Sequence, residues 1–511
     1  MNNHVNSTDK PKILFWLDAD FTHFVLAYFL QKRYDCELYA IVDITNKPKK
    51  FFETQKLVNF KKIWYFHDNI QATKEHDVSY LQEIENKYGI NLWKLAINER
   101  IFYRFFDFHK FSRNEILSIT QQSVNLFEKI FQDVDLDFFI SSAPVFFHTE
   151  LFYEICKKKN IKCLLLSMPK LGGKSLVSEV VYRIDGVKNL DNLEFTNRTA
   201  EEILSYIQDN NPYDVLKKYR QNYSNSKFDY INSALQYAKN DNSHEKTHYT
   251  YFGRNKFKVL SNVIKFSMKK RIREDFMKNN LITHSKFTTP YVYFPMSVDM
   301  ERNILIDTPF YTDQIEIIRI IAKSLPVNYR LIVKENPGQT SREWRPISEY
   351  KQIMSIPNVS LVHPHIIGSD LIKNSSLVIS LAGSSPLEAT FYKKPAIVFG
   401  NVIYSLIPTI VKVKELEKLP DLIKQMLTTK IDLSYLNKFI DLIERNTANF
   451  DMFEFQTKFN EKFYFSGSLF DVELNEQEIR QFLDEIQEYF EELIDLHIKK
   501  IQKHTESISK N

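Results

Sequence analysis

The feature that most constrains the fold is a series of apolar runs of strand length, separated by segments with helical periodicity. Continuous apolar strands are buried on both faces, as in a parallel sheet that helices cover. The pattern predicts an α/β, Rossmann-like domain in residues 1–195. Its apolar runs are KILFWL (Lys12–Leu17), ELYAIVDI (Glu37–Ile44), KKIWYFHD (Lys61–Asp68), DFFISSA (Asp137–Ala143) and IKCLLLSM (Ile161–Met168).

The same pattern returns later in the chain and predicts a second Rossmann-like domain in residues 287–430. The 511 residues exceed what one hydrophobic core usually supports, which agrees with two domains. Residues 196–286 lack the strand pattern and are predicted as a helical insertion or linker, and residues 431–511 as a helical tail. The apolar runs of the second domain are YVYFPM (Tyr291–Met296), YRLIVKE (Tyr329–Glu335), VSLVHP (Val359–Pro364), SLVISLAG (Ser376–Gly383) and AIVFG (Ala396–Gly400).

Two helical segments outside these domains have an apolar stripe. The last helix is predicted to begin at Asn475, with Glu478 as its capping partner, and we expect it to dock on the first domain rather than form a dimer seam. The segment Lys256–Lys278 combines an apolar stripe with basic residues. Such a helix packs against the body with a solvated face, which we favour, or contacts a membrane surface or an anionic substrate.

Composition excludes several classes of protein. The chain has 68 Lys and Arg against 64 Asp and Glu, and a net charge of +4 is too small to indicate a nucleic-acid partner. No run approaches the ~18 to 20 apolar residues of a transmembrane helix, and the N-terminus shows no signal-peptide pattern. Cys36, Cys156 and Cys163 lack metal-ligand spacing and are expected to be free thiols. A cytoplasmic protein is predicted.

Ligands of open α/β sheets gather at the carboxyl ends of the strands, where SLAGSSPLEATF follows one strand of the second domain. Gly383 permits a tight turn, and Pro386 suits the first position of a helix. Free amides at such a helix start can bind an anion. Ser385 and Glu388 also have the spacing of a capping box, so these residues alone leave both interpretations open. The two interpretations are compatible if Glu388 also reaches past the helix start to a ribose hydroxyl.

Other polar groups follow neighbouring strands. Lys334-Glu335-Asn336-Pro337-Gly338 is either an ordinary charged turn or a phosphate site in which lysine supplies a local positive charge. His363 and His365 end a further strand, and one of them is a candidate contact for the nucleotide or its phosphate.

The first domain carries the candidates for acid–base chemistry. Asp18 and Asp20 follow its first strand in LDADFTH, where a carboxylate could deprotonate an acceptor hydroxyl or, in the case of Asp18, cap the next helix. His23 and His148 are expected to be structural.

The ordered series of motifs from about Pro290 to Val411 resembles the capsule polysaccharide biosynthesis family, which comprises GT-B glycosyltransferases and includes Kdo transferases. It consists of Pro295 with Glu301 six residues later, Asp313-Gln314, Lys334–Pro337, Asn358-Val359, Gly383–Ala389, Lys394-Pro395 and Phe399-Gly400.

The resemblance implies a GT-B-like fold, with two Rossmann-like domains facing a cleft, and a nucleotide-sugar donor site in the second domain. The donor would be CMP-Kdo or a related acidic sugar, the acceptor a glycan or glycolipid, and no metal would be required. The residues it assigns to the donor are Lys334, Glu335, Asn336, Gly383, Ser384, Ser385 and Glu388.

Departures from the family pattern bear on these assignments. Asn336 stands where the family has histidine in Lys-Glu-His-Pro. Glu301 matches the glutamate of a Gln-Pro-Glu motif, which makes it a third catalytic candidate, although Asp299-Met300 replaces Gln-Pro. SMPKLGG (Ser167–Gly173) occupies the place of the family's glutamate-glycine motif in the first domain.

Three other functions compete with a glycosyltransferase of surface polysaccharide synthesis. A polyol-phosphate transferase of the teichoic-acid type usually needs histidine at the position of Asn336. A sugar-nucleotide 2-epimerase fits poorly with the helical insertion and tail. A non-catalytic binding subunit would be consistent with Asn336 and with the unmatched motif of the first domain. The sequence leaves the acceptor, the linkage and the oligomeric state open.

Overall fold

A computed structural model describes residues 10–191, 193–196, 198–210, 249–341 and 345–509. The predicted insertion at 196–286 is therefore covered only in part, because residues 211–248 lie outside the described residues. Residues 1–9, on which the prediction of no signal peptide partly rests, lie outside them as well. The boundaries drawn between the domains, the insertion and the tail stay predictions.

The first sheet is mostly parallel, with strand order β13-β6-β5-β4-β1-β2-β3. Strands β1 to β5 run parallel, whereas β6 is antiparallel to β5 and β13 is antiparallel to β6. The order β3-β2-β1-β4-β5 is that of a dinucleotide-binding sheet, and it reverses between β1 and β4. The strands are β1 (Lys12–Leu17), β2 (Glu37–Val42), β3 (Phe60–Tyr65), β4 (Phe138–Ser142), β5 (Lys162–Ser167), β6 (Ser175–Ser178) and β13 (Thr447–Ala448).

Helices cover both faces of this sheet, so its strands are apolar along their length. The longest of these helices begins with a capping box, in which Ser112 and Glu115 satisfy each other's backbone amides. The helices are α1 (Thr22–Arg33), α2 (Asn46–Thr54), α3 (Val78–Tyr88), α4 (Leu92–Ile97), α5 (Arg113–Asp133) and α6 (Phe147–Lys158).

The second sheet is parallel throughout and has the order β12-β11-β10-β7-β8-β9. The order again reverses beside the first strand of the domain, between β7 and β10. The strands are β7 (Tyr291–Pro295), β8 (Arg330–Lys334), β9 (Val359–Val362), β10 (Leu377–Ser380), β11 (Ala396–Val398) and β12 (Ile410–Lys412).

The helices before and around the second sheet include a long one, α8, which contains the basic segment Lys256–Lys278 noted in the sequence. They are α7 (Ala200–Asp209), α8 (Lys256–Asn280), α9 (Arg302–Leu305), α10 (Gln314–Ser324), α11 (Ile347–Met354), α12 (Gly368–Asn374), α13 (Ser385–Phe391) and α14 (Leu419–Thr428).

The tail returns to the first domain, as expected. The side chains of Phe490, Leu493 and Ile494 are fully buried in the core beneath α1, and Arg33 of α1 forms an ion pair with Glu491. The predicted last helix is interrupted at Ile486, and Asn475 caps its first part. The tail helices are α15 (Leu433–Asn446), α16 (Met452–Phe463), α17 (Glu476–Glu485) and α18 (Gln487–Ser509).

These observations confirm the predicted fold class, an α/β protein with two Rossmann-like parallel sheets in a GT-B-like arrangement. The two carboxyl edges meet where Arg302, at the start of α9, donates a hydrogen bond to the carbonyl of Pro144, which follows β4. Residues placed after β4 and after β7 are therefore neighbours in the molecule.

Candidate active site

A cavity of about 530 Å³ lies at the carboxyl edge of the first sheet. Its walls include residues that directly follow β1, β2, β3 and β4, and it spans the point where the strand order reverses. Open α/β sheets bind ligands at such a point, and the volume is in the usual range for small-molecule sites. The residues after these strands are Asp18, Ala19 and Asp20, then Asp43, Ile44 and Thr45, then His67, and Ala143, Pro144 and Val145.

Asp18 and Asp20 both line this cavity, where the sequence predicted catalytic carboxylates. Asp20 accepts hydrogen bonds from the amide of Thr22 at 2.8 Å and from Gln456 Nε2 at 3.0 Å. Asp18 accepts one from the amide of Asp20 at 3.2 Å. Burial, followed by the charge of Asp20, raises the pKa of Asp18 well above its usual value. A carboxyl group with a raised pKa is suited to proton transfer near neutral pH.

Asp43 forms the centre of a buried polar network that the sequence analysis did not identify. Its two carboxylate oxygens lie 2.7 Å from His67 Nε2 and 2.7 Å from His148 Nε2. His148 Nδ1 in turn lies 2.7 Å from the hydroxyl of Tyr249. Burial opposes the charged carboxylate, but the charge and hydrogen bond of His148 and the hydrogen bond of His67 hold the pKa of Asp43 below its usual range.

His148 was predicted to be structural, and the structure shows it hydrogen-bonded within this network while it also lines the cavity. His23 is buried behind the cavity, and burial lowers its pKa. Asp43 and His67 follow β2 and β3, so the strand-end rule that found Asp18 could have found them too.

The tail completes the wall of the cavity. Gln456 and Asn460 project from α16, and Phe470 and Asp471 follow it. Tyr251 comes from the short turn before α8. None of these residues follows a strand of the first domain, so no local signal in the sequence pointed to them.

The turn after β10 lies at the reversal point of the second sheet. Gly383, Ser384 and Ser385 are partly exposed, and Glu388 is 8% exposed. Burial, followed by the charge of Glu388, raises the pKa of Tyr293 on β7. The side chain of Glu388 is thus close to β7, across the reversal point. The predicted capping box is not formed, because the helix cap is Ser384 and it makes no side-chain capping bond.

The predicted donor residues at the turn after β8 differ in how far they are exposed. Lys334, at the end of the strand, is buried, with 6% of its surface exposed. Glu335 is fully buried: its Oε2 accepts hydrogen bonds from Arg345 Nε at 2.8 Å and from the Tyr350 hydroxyl at 3.0 Å, and its Oε1 accepts one from the amide of Asn336 at 2.8 Å. Its carboxylate therefore positions the turn, and a direct contact between Glu335 and a nucleotide stays a prediction. Asn336 is partly exposed and accepts a hydrogen bond from the amide of Gly338.

His363 and His365 border a second cavity, of about 550 Å³, between β9 and the end of α8. Their rings lie against each other with centroids 4.4 Å apart. Burial, His365 and the charge of Lys334 lower the pKa of His363, which places the ring near Lys334. His363 and Lys334, which were both predicted to bind the donor, therefore lie together at the carboxyl edge of the second sheet.

Glu301 occupies the N-cap position of α9, where its side chain makes no capping hydrogen bond, next to the residue that contacts the first domain. The next residue, Arg302, binds Asp307 at 2.9 Å and reaches Glu150 of α6 at 4.0 Å. Pro144, which lines the first cavity, accepts a hydrogen bond from Arg302, the residue after Glu301. The assignment of catalysis among Asp18, Asp20 and Glu301 stays a prediction.

In the described part of the chain, no group of three or more His, Cys, Asp or Glu is arranged to hold a metal ion. No helix in the same ranges is both long and apolar enough to cross a membrane.

No protein-family model matches the chain, and no curated protein matches it. Solved structures match it only distantly. A beta Kdo 2,7 transferase, KpsC, of Thermosulfurimonas dismutans is 11% identical with a TM-score of 0.26, over 70% of this chain and 97% of that one. UDP-GlcNAc 2-epimerase from Neisseria meningitidis, bound to UDP-GlcNAc, is 11% identical with a TM-score of 0.26, over 85% and 99%.

The N-terminal domain of Candida albicans trehalose-6-phosphate phosphatase is 10% identical with a TM-score of 0.31, over 90% of this chain and 97% of that chain. At these identities and TM-scores, the likenesses assign no activity to the chain.

Proposed function

We propose that the protein is a glycosyltransferase that uses a nucleotide-activated sugar in the synthesis of a capsule or other surface polysaccharide. The donor binds at the carboxyl edge of the second sheet, and the acceptor binds in the cavity of the first. The donor is CMP-Kdo or a related acidic sugar, as the motif resemblance implies.

One observation carries this proposal: both sheets reverse their strand order beside a cluster of polar strand-end residues, and the two edges meet. In the second sheet, Glu388 stands in the first turn of α13, directly after β10, which pairs with β7 at the reversal point. In the first, Asp18 lines a cavity whose rim is bound by Arg302 of the second domain. A transfer reaction between two bound substrates needs this apposition of two sites.

The chemistry would divide between the domains. Asp18, with its raised pKa, would accept the proton of the acceptor hydroxyl as that oxygen attacks the anomeric carbon. Lys334 would stabilise the negative charge on the departing nucleotide phosphate. Glu301 is the alternative base, since the next residue, Arg302, contacts the rim of the cavity from the second domain.

We also infer that α8 contacts an anionic membrane surface. The helix buries Arg273 and Met277, whereas Phe257, Ile264, Met268 and Ile272 form an outward stripe that is 59–84% exposed. The basic residues Lys258, Lys265, Lys269, Arg271 and Lys278 flank this stripe and are also exposed. An apolar stripe between rows of basic residues matches the headgroup region of an anionic bilayer.

Saturation-transfer NMR of the full chain with CMP-, UDP-, GDP- and CDP-sugars tests the donor site. We expect one nucleotide class to show transfer, and Lys334→Ala to weaken nucleotide binding while leaving the free nucleoside unaffected. Exposed Lys418→Ala, in the same domain, is the matched control. Equal weakening of nucleotide and nucleoside would show that Lys334 is not at the phosphate, and silence of all four classes would refute the proposed function.

A further inference from the structure

The segment SMPKLGG (Ser167–Gly173), which begins at the last residue of β5, extends from the first sheet into the core of the second domain. Leu171 of this segment is fully buried in the same hydrophobic cluster as Ala382 and Tyr404. The hydroxyl of Tyr404 donates a hydrogen bond to the carbonyl of Gly383, in the turn after β10. The loop after β5 and the turn after β10 are therefore anchored in one core.

Lys170 has a left-handed backbone conformation in this loop, with a φ of 65°. Residues other than glycine rarely adopt that conformation, and the buried side chains of Pro169 and Leu171 on either side hold the backbone there. Residues kept in such conformations are concentrated at ligand sites. The Lys170 side chain itself is partly exposed, so it can meet a ligand.

The neighbours of the Lys170 side chain are also neighbours of the turn after β10. Its ammonium lies 5.9 Å from the centre of the Tyr182 ring. Burial raises the pKa of Asp307, and the charges of Arg302 and Lys170 oppose that rise. Burial also raises the pKa of Tyr404, and Tyr182 and Asp307 add to the rise. Tyr182 and Asp307 are thus close both to Lys170 and to the tyrosine that binds the turn.

The backbone around Gly400 gives the same placement. A Cβ atom built on Gly400 would lie 3.1 Å from the Cβ of Ala382 and 3.2 Å from the carbonyl oxygen of Asp307. Asp307 is therefore adjacent to the start of the turn after β10. Its carboxylate forms an ion pair with Arg302 at 2.9 Å, so the Lys170 ammonium keeps its capacity to pair with an anionic group of a ligand.

We propose that Lys170 binds a phosphate group of the donor, and so adds a contact from the first domain to a ligand held at the second. A lysine ammonium acts on a phosphate as a local positive charge. Because Lys334 acts from the second domain, the departing phosphate is stabilised from both sides. The inference rests on the proposed function in one respect, namely that a nucleotide binds at the turn after β10.

Replacement of Lys170 in the full chain tests the inference, by calorimetric titration with CMP, CDP, UDP and GDP, with their nucleosides and with inorganic pyrophosphate. Lys170→Met removes the charge and keeps the length of the side chain. Affinity for the nucleotide should therefore fall about tenfold or more, while affinity for its nucleoside stays unchanged. Lys170→Arg keeps a positive charge and should retain most of the affinity. Lys174→Met is the matched control, because Lys174 directly follows the loop and binds Asn449 of the tail at 3.0 Å.

Equal losses for nucleotide and nucleoside, or no loss in Lys170→Met, would overturn the inference while the proposed donor site stands. If no nucleotide binds to the wild type, but pyrophosphate binds and does so more weakly in Lys170→Met, the proposed function fails and a phosphate site at Lys170 stands. If neither nucleotides nor pyrophosphate bind, both fail.

Discussion

Individual side chains at the strand ends divide into those that face a cavity and those that hold a turn in place. Asp18 and Glu335 illustrate the two cases. Both directly follow a strand, and both were chosen from the sequence for that reason. Asp18 faces the cavity with a raised pKa, whereas Glu335 is saturated by Arg345 and Tyr350. Strand-end position locates a site, but burial and pairing decide which carboxylate can meet a ligand.

Replacement of Glu388 tests the role of the turn after β10. The capping box that could have explained this glutamate is not formed. If Glu388 instead binds a ribose hydroxyl, Glu388→Gln loses a charge-assisted hydrogen bond, and nucleotide affinity should fall by about 1.5 to 3 kcal/mol. Calorimetry on the folded variant measures the change, with exposed Glu415→Gln as control. Unchanged affinity would show that Glu388 has only a structural role in the turn.

Asp18→Asn and Asp20→Asn test the acid–base assignment. A base used only in the transition state affects turnover more than donor affinity, so kcat should fall by ~100-fold or more with donor binding nearly intact. Because burial and Asp20 raise the pKa of Asp18, activity of the wild type should also fall as pH drops through that raised value. Asp20 is held by Thr22 and Gln456, so we expect the larger loss at Asp18.

Glu301→Gln is the necessary companion to these variants. If both first-domain variants keep full activity and Glu301→Gln is inactive, the assignment passes to Glu301. If all three retain activity, the catalytic assignment is wrong although the donor site could still stand.

Among whole elements, those with strong periodicity were predictable and those defined by tertiary contact were not. KILFWL predicted β1 with its observed bounds, and the start of the helix capped by Asn475 was also predicted correctly. Strands β6, β12 and β13 were missed; they have four, three and two residues. β13 forms because the tail docks beside β6, and these two strands are far apart in the sequence.

The candidate site shows the same limit. Asp18 and the turns predicted to bind the donor directly follow strands, and that position in the sequence was the reason for choosing them. Phe470 and Asp471 reach the first cavity only after α16 has packed on the first domain, so nothing near them in the sequence indicated a site. The apolar stripe of α8 was visible in the sequence, but the structure was needed to show that it faces outward rather than toward the body of the protein.

Vesicle binding tests the role assigned to α8. The full chain should co-sediment with vesicles of phosphatidylcholine and phosphatidylglycerol, more weakly at high salt, and hardly with phosphatidylcholine alone, since each basic residue near an anionic surface contributes about 1 kcal/mol. Ile264→Glu combined with Met268→Glu should abolish binding. Val327→Glu, which alters a fully exposed apolar residue elsewhere, should not.

Equal binding to both kinds of vesicle, or binding that survives the double replacement, would contradict a membrane role for α8. Loss of a dimer in the double variant, with no vesicle binding by the wild type, would instead identify a second copy of the chain as the occupant of this face.

At the scale of the whole molecule, the two domains meet through a cluster with more negative than positive charge. Arg302 lies between Asp307 of its own domain and Glu150 of the first domain. Its guanidinium is 4.0 Å from Glu150 Oε2, too far for a hydrogen bond, and that buried oxygen has no hydrogen-bond partner among the described residues. Burial therefore dominates and raises the pKa of Glu150 to about 7.

A glutamate in the unfolded chain has a pKa of about 4.3. Between that pH and about 7, the folded protein therefore keeps a proton on Glu150 that the unfolded chain has lost. A folded pKa above the unfolded value means that the contribution of this group to the free energy of unfolding falls as pH rises from about 4.5 to 7. One pKa unit corresponds to about 1.4 kcal/mol, which sets an upper limit of roughly 3 to 4 kcal/mol for the loss.

Glu150→Gln removes this dependence, because an amide stays neutral at every pH. Chemical denaturation should show the variant gaining stability relative to the wild type between pH 5 and pH 8, up to that limit. Asp307, whose pKa is also raised by burial, remains in both proteins, so the difference between their curves isolates Glu150. Exposed Glu83→Gln should give a curve parallel to that of the wild type. If the Glu150→Gln curve is parallel as well, the carboxyl group is already ionised at the contact, and Arg302 stabilises it despite the distance of 4.0 Å.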